Sequence, residues 1–169
     1  MRRLLVLLLV AALGLVAAPA ATAADTTAPA RAAAAEARAF RQVINAQLTR
    51  DLATYRDRLT PGERTRMREL ARTVDRDLGQ LQQATATTAR LAARPGSRAK
   101  AHRAAQAAVA RFDAGYAKAM SSLAELQPVL LPRLSIFEAL RAKSELDTQL
   151  ARYAALGEQL RFVERALRV

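Results

Sequence analysis

The sequence predicts an all-α protein, an antiparallel four-helix bundle of up-down-up-down topology, and three observations carry that expectation. Apolar residues recur at helical spacing over nearly all of the chain beyond residue 30, helix breakers are confined to three short places, and residues that resist the helix are scarce. There are 6 Gly and 6 Pro in 169 residues, against 41 Ala and 24 Arg. Alanine and arginine, like leucine and glutamine, lose little side-chain freedom on a helix.

Residues 1–23 stand apart from the fold and read as a secretory signal peptide. Arg2 and Arg3 supply the positive start, residues 4–18 the apolar run, and Ala21-Thr22-Ala23 a small-x-small cleavage site. The run is about 15 residues, short of the ~20 that span a bilayer. Cleavage is expected after Ala23, or after Ala20, which leaves one helical domain, 24–169, in the periplasm or the extracellular medium.

The helices are expected at about 30–59, 61–93, 98–127 and 133–167. Helix one carries Phe40, Ile44, Leu48, Leu52, Tyr55 and Leu59 at three- and four-residue steps. Helix two opens on Thr60 as N-cap, with Pro61 at the first helical position and Glu63 completing a capping box. Its stripe runs from Met67 through Leu70, Val74, Leu78 and Leu81 to Leu91, and Arg94-Pro95-Gly96-Ser97 ends it. Helix three places His102, Ala105, Val109, Phe112, Tyr116 and Ala119 in a 3-4-3-4 pattern, and the stretch from Pro128 to Pro132 is expected to stop it. Ser135 and Glu138 make a second S-x-x-E arrangement ahead of helix four, whose stripe reads Phe137, Leu140, Leu146, Leu150, Tyr153, Leu156, Leu160, Val163 and Leu167.

Each stripe needs a partner for one face. Helices ~45 Å long joined by short connections meet that need most simply as an antiparallel bundle; the competing architecture is a dimer of helical hairpins with a concave face. One end is unusual, because residues 32–39, 85–93 and 99–110 offer mainly small side chains there. Some of Leu160, Phe162, Val163 and Leu167 are expected to fill that end; otherwise it forms a cleft or a dimer seam.

Composition removes whole classes of chemistry. With no Cys there is no disulfide framework, thiolate metal site, cysteine nucleophile or lipid anchor on an N-terminal cysteine. With His102 as the one imidazole there is no catalytic triad and no multi-histidine metal site. Met67 and Met120 fall at one level of the bundle, where two methionines filling a core gap are expected rather than a soft copper(I) site. Met67 and His102 lie ~30 Å apart by helical rise, which speaks against haem held between them. Asp75 with Asp77, and Glu145 with Asp147, are two positions apart and point to different faces. The expectation is therefore a protein that is not an enzyme and has no cofactor and no metal. Gly79, Gly115 and Gly157, each costing ~1 kcal/mol relative to Ala in a helix, mark close helix approach or bends.

The formal charge is +12, and loss of Arg2 and Arg3 with residues 1–23 lowers it to +10. The excess is spread over all four helices, without the basic face or stacking aromatics of a nucleic-acid reader, so no nucleic acid is expected. Anionic membrane or cell-wall surfaces and acidic segments of unfolded proteins are the expected partners. Arg64, Arg68, Arg72 and Arg76, four residues apart on helix two, are the candidate contacts to an anionic partner.

The segment Leu59-Thr60-Pro61-Gly62-Glu63-Arg64-Thr65-Arg66-Met67-Arg68-Glu69-Leu70 resembles the LTxxQ segment of the Spy/CpxP family of small periplasmic stress proteins. Leu59 and Thr60 match that motif, Glu63 stands where it has Gln, and no second copy is found. The resemblance implies an all-helical exported chaperone or metal-stress adaptor, in several members a cradle-shaped dimer, that binds other envelope proteins or unfolded clients. No client-binding residue carries over. The expected function is thus a non-enzymatic helical binding protein of the cell envelope, chaperone-like or a stress adaptor; the alternatives are a self-associating structural protein, with a homodimer, or a bundle that carries a ligand.

Overall fold

The computed structural model describes residues 26–168, so the signal-peptide reading of residues 1–23 lies outside the described residues. Four helices follow one another: α1 Thr27–Thr54, α2 Pro61–Ala92, α3 Arg98–Leu130 and α4 Ile136–Leu167. Short 3₁₀ turns, Arg56–Arg58 and Leu131–Arg133, precede α2 and α4. Each helix packs on its neighbour in sequence, and α4 returns to α1 to close the ring, which is the up-down-up-down bundle. No helix among the described residues is long and apolar enough to cross a membrane.

Four boundaries differ from expectation: α1 starts at Thr27 instead of 30, α4 starts at Ile136 instead of 133 because Ser135 is its cap, and the ends of α1 and α3 shift as well. Helix α1 ends at Thr54 instead of 59, because Leu59 and Thr60 are both extended ahead of Pro61, whose ring disfavours helical backbone in the residue before it. Leu59 is turned inward instead and is buried against Met67. Helix α3 runs on past Pro128 to Leu130. A proline this close to a helix end forfeits one backbone bond, and the helix stops only where Pro132 follows in the 3₁₀ turn.

The waist of the bundle is aromatic. Tyr153 of α4 stacks on Phe40 of α1 with ring centroids 5.0 Å apart, and meets Phe112 and Tyr116 of α3 at 4.5 and 5.9 Å. Leu78, Leu81, Leu156 and Leu160 enclose the rings. Two glycines make this arrangement possible. A Cβ on Gly157 would stand 2.4 Å from Cζ of Phe112, and one on Gly115 would stand 3.1 Å from the Tyr153 hydroxyl. They mark close approach. Burial, with the charges of Asp77 and Asp113 behind it, pushes the Tyr153 hydroxyl up to about 12, so it stays neutral and donates to the Phe112 carbonyl at 3.4 Å.

The alanine-rich end is closed from within. Leu160, Val163 and Leu167 of α4 are 4%, 3% and 1% exposed, and the last two pack against Ala30, Ala89, Ala101 and Ala105. Phe162 stays half-buried beside them. Arg98 of α3 caps the exit of α4 by donating to the carbonyls of Ala166, Leu167 and Arg168 at 3.0, 3.4 and 3.3 Å.

Two expected stripes are corrected. Phe137 and Leu140 are 86% and 60% exposed. At about 100° per residue the six-residue gap from Leu140 to Leu146 turns the helix by roughly 600°, which puts the two on faces about 120° apart. In α3 the core face is Ala101, Ala105, Ala108 and Phe112, which leaves Tyr116 36% exposed.

The fold also contains an internal repeat. Adding 75 to the bounds of α2, Pro61 and Ala92, gives those of α4, Ile136 and Leu167, and the same step carries turn Arg56–Arg58 onto Leu131–Arg133. Buried positions follow: Ala30, Ala33 and Ala37 correspond to Ala105, Ala108 and Phe112, and Leu78, Leu81, Thr85 and Thr88 to Tyr153, Leu156, Leu160 and Val163. The bundle is two like hairpins, α1–α2 and α3–α4, packed on each other.

Candidate functional site

The tip where both connections meet is built from one motif used twice. Arg58-Leu59-Thr60-x-x-Glu63 recurs 75 residues on as Arg133-Leu134-Ser135-x-x-Glu138. In each, the hydroxyl accepts from the backbone N–H of the glutamate at 3.3 Å, and the glutamate accepts from the N–H of the cap residue, at 2.7 Å for Thr60 and 2.8 Å for Ser135. The two capping boxes are then cross-linked. Arg58 donates to both carboxylate oxygens of Glu138 at 2.9 Å, while Arg133 donates to Glu63 at 2.6 Å and to the carbonyl of Arg58, also at 2.6 Å.

This clasp explains the candidate motif in structural terms. Leu59 plugs the core, Thr60 caps α2, and Glu63 closes the box and receives Arg133. The second copy missing from the sequence reading is at Leu134, Ser135 and Glu138. Its signal was there in Arg-Leu-Ser/Thr-x-x-Glu, obscured because Pro61-Gly62 in one copy is Ile136-Phe137 in the other.

The clasp acts on the carboxylates as charge-assisted hydrogen bonds do. The Arg58 guanidinium, followed by the Ser135 N–H and hydroxyl, pulls Glu138 down from 4.5 to about 2. Bonds from Thr60, with Arg133 behind them, lower Glu63 as well. A depressed carboxylate contributes fully above its unfolded pKa and loses its contribution as pH falls through the folded value. The clasp is therefore expected to loosen between pH 4.5 and about 2. In a carbon-13 titration of the carboxyl groups, Glu138 should show a midpoint near 2, and Arg58→Met should move it up toward 4.5. A midpoint near 4.5 in the parent protein would mean that the clasp does not form in solution.

The arginine row of α2 is placed differently. Arg64 donates to the Arg56 carbonyl at 3.4 Å, and among the described residues Arg68, Arg72 and Arg76 have no hydrogen bond or ion pair. Three of the four acids on α2 are turned to cations elsewhere: Glu63 to Arg133, Asp75 to Arg41 and Asp77 to Lys118. Rows at i, i+4 form an inclined ridge on a helix, rising ~6 Å per step. Arg68, Arg72 and Arg76 therefore stand as a line of exposed guanidinium groups on α2, with Glu69 the one acid of that helix not turned to a cation elsewhere.

Other candidate chemistry is taken up by structure. Asp75 accepts from Arg41 and Asn45 of α1, at 2.8 and 2.6 Å, whereas Asp77 faces α3. Glu145 receives Gln47 of α1 and Arg141, and Asp147 receives Lys143. His102 sets its Nε2 2.8 Å from Glu164, which Arg168 also reaches, tying the start of α3 to the end of α4. Met67 is buried with Leu59, but Met120 is 40% exposed, so the two do not fill one core gap. An outward turn of α3 at Met120 goes with that of Tyr116 one turn earlier. No group of three potential metal ligands occurs among the described residues.

An open groove of about 280 Å³ runs between α2 and α3, lined by Gln80, Gln83, Thr87, Ala104, Ala107 and Arg111 among others. It lies outside the core. No family model, no curated protein and no solved structure matches the chain.

Proposed function

We propose that this is an exported, non-enzymatic binding protein of the cell envelope, chaperone-like or a stress adaptor, that engages acidic segments of other envelope proteins or unfolded clients through its outer surface. The observation that carries the reading is the ridge of Arg68, Arg72 and Arg76, left without partners while three of the four acids of the same helix, Glu63, Asp75 and Asp77, serve cations elsewhere. Arginine forks suit carboxylate and phosphate oxygens and stay charged at any physiological pH. Filled core layers favour surface binding over carriage of a ligand inside the bundle. Val163 and Leu167 fill the alanine-rich end from within, which supports a bundle complete in itself over one that closes this end with a second copy.

The test is suppression of aggregation of a chemically unfolded acidic client by the chain recovered from the envelope of an expressing bacterium. Suppression near stoichiometric amounts is expected at low salt and should weaken as the screening length falls from ~30 Å at 0.01 M to ~10 Å at 0.1 M and below. Replacing Arg68, Arg72 and Arg76 together by Gln should weaken it about tenfold, from three exposed ionic contacts of ~0.2–1 kcal/mol each. Stability should stay within ~0.5 kcal/mol, since these side chains bond to nothing in the fold. A folded triple variant that suppresses as well as the parent would remove the ridge from the mechanism, and a folded parent that suppresses nothing would end the chaperone-like reading.

A further inference from the structure

The two halves of the tip share a cap but not the residues next to it. Helix α2 starts Thr60-Pro61-Gly62-Glu63 and helix α4 starts Ser135-Ile136-Phe137-Glu138, with the same set of capping bonds in each. Pro61 and Gly62 thus show that the cap needs no apolar side chain at its first two helical positions. Yet Ile136 and Phe137 are 78% and 86% exposed there, and Leu140, where the first copy has Thr65, is 60% exposed. One lobe of the tip is polar and the other apolar, and folding does not account for the difference.

What covers the apolar lobe follows from shape and charge. Ile136, Phe137 and Leu140 are exposed at three- and four-residue spacing, on one face of the first two turns of α4. Residues 54–66 and 129–140 carry five cations and three acids, a local excess of two, and Glu63 and Glu138 are paired with Arg133 and Arg58 in the clasp. On the α1–α2 connection of the same tip, Arg64 donates to the Arg56 carbonyl and Asp57 stands next to Arg56 in sequence. Two copies meeting tip to tip would bring together molecules that are strongly positive overall, whereas an anionic surface attracts them. An anionic lipid surface satisfies both features. Exposed aliphatic and aromatic groups enter the headgroup–acyl boundary while arginines stay with the phosphates.

We propose that the α3–α4 lobe of the tip is a membrane-contact wedge, in which Ile136, Phe137 and Leu140 enter the surface of an anionic bilayer and the bundle stands on that end. The wedge rests on residues other than the arginine ridge of α2, so either proposal can fail without the other.

The chain has no Trp, so a single introduced one reports its own surroundings. The experiment compares Phe137→Trp with Gln106→Trp, an exposed site on α3 near the alanine-rich end, in envelope-recovered protein whose N-terminal residue is identified by mass spectrometry. Both are mixed with phosphatidylglycerol–phosphatidylcholine vesicles and with pure phosphatidylcholine vesicles. Emission of the residue-137 indole is expected to move to shorter wavelength with the anionic vesicles and to be quenched by brominated acyl chains, while the residue-106 indole does neither. Ile136→Ser with Phe137→Ser should lower the vesicle-bound partition at least about tenfold with unchanged helicity.

Several results would overturn the proposal. One is absence of binding to anionic vesicles at low salt; another is binding that leaves the residue-137 indole in water, which would make the contact adsorption through the arginine coat. A shift of that indole on raising protein concentration without vesicles would assign the lobe to a second copy, and a shift on adding unfolded client alone would assign it to clients.

Discussion

Phe112→Ala is expected to cost ~3–5 kcal/mol, the largest loss of any single side chain in this bundle. Phe112 is 4% exposed at the waist, with Tyr153 at 4.5 Å, Tyr116 at 6.2 Å and the guanidinium of Arg161 at 5.5 Å over its ring. Removing the ring leaves a cavity that neighbours on three helices cannot collapse into. Thermal unfolding should drop on the order of 10 °C. The sharper test pairs this change with Gly157. In the parent, Gly157→Ala places Cβ against the far edge of the Phe112 ring, at 2.4 Å from Cζ and 2.5 Å from Cε1. The ring is backed by other rings and cannot move away, so the overpacking cost of ~1–3 kcal/mol outweighs the ~1 kcal/mol gained in helix propensity. In the Phe112→Ala background the obstacle is gone, and the same change should stabilise. A substitution at residue 157 that has the same sign in both backgrounds would show that the Phe112–Gly157 approach does not exist in solution.

Leu167→Ala is expected to cost ~2–5 kcal/mol although it lies at the last helical residue of α4, where fraying normally makes substitutions harmless. Leu167 is 1% exposed among Ala30, Ala89, Ala101 and Ala105, so shortening it leaves alanines facing alanines. Arg98, which caps the carbonyls of Ala166, Leu167 and Arg168, keeps the backbone from drawing in to fill the gap. Phe137→Ser, at the other end of the same helix, makes the natural control. It exchanges a larger apolar residue but leaves no cavity at 86% exposure, and should change stability by less than ~0.5 kcal/mol. Equal effects at the two positions, read by urea unfolding, would contradict the packing of α4.

Much of this was legible along the chain. Thr60 with Pro61 and Glu63, and Ser135 with Glu138, form the capping boxes their spacing announces, because a cap depends on residues within one turn. The filling of the alanine-rich end also follows from a local count, since α4 has most of the large side chains at that level, joined by Leu91 of α2. Reading failed where phase mattered over a longer interval. Phe137 and Leu140 have the residue types of the α4 stripe, but a six-residue gap separates them from Leu146, and a helix does not bridge that gap on one face. The candidate motif was read as one segment, although its partner stood 75 residues further on.

The sequence by itself determined four helices, their caps, most of their inward faces and a strongly basic surface, because propensity, periodicity and capping are properties of neighbours in the chain. Only the tertiary structure decided which arginines stay free and which acids are used. Glu63 and Glu138 lie beside their own caps in sequence, yet their arginines come from the opposite hairpin. Asp75 and Asp77 are two residues apart, yet serve α1 and α3. An ion pair needs two side chains brought within a few ångströms, and in this bundle that proximity comes from packing two like hairpins together. The same packing leaves the ridge of α2 unpaired and the apolar lobe of the tip uncovered.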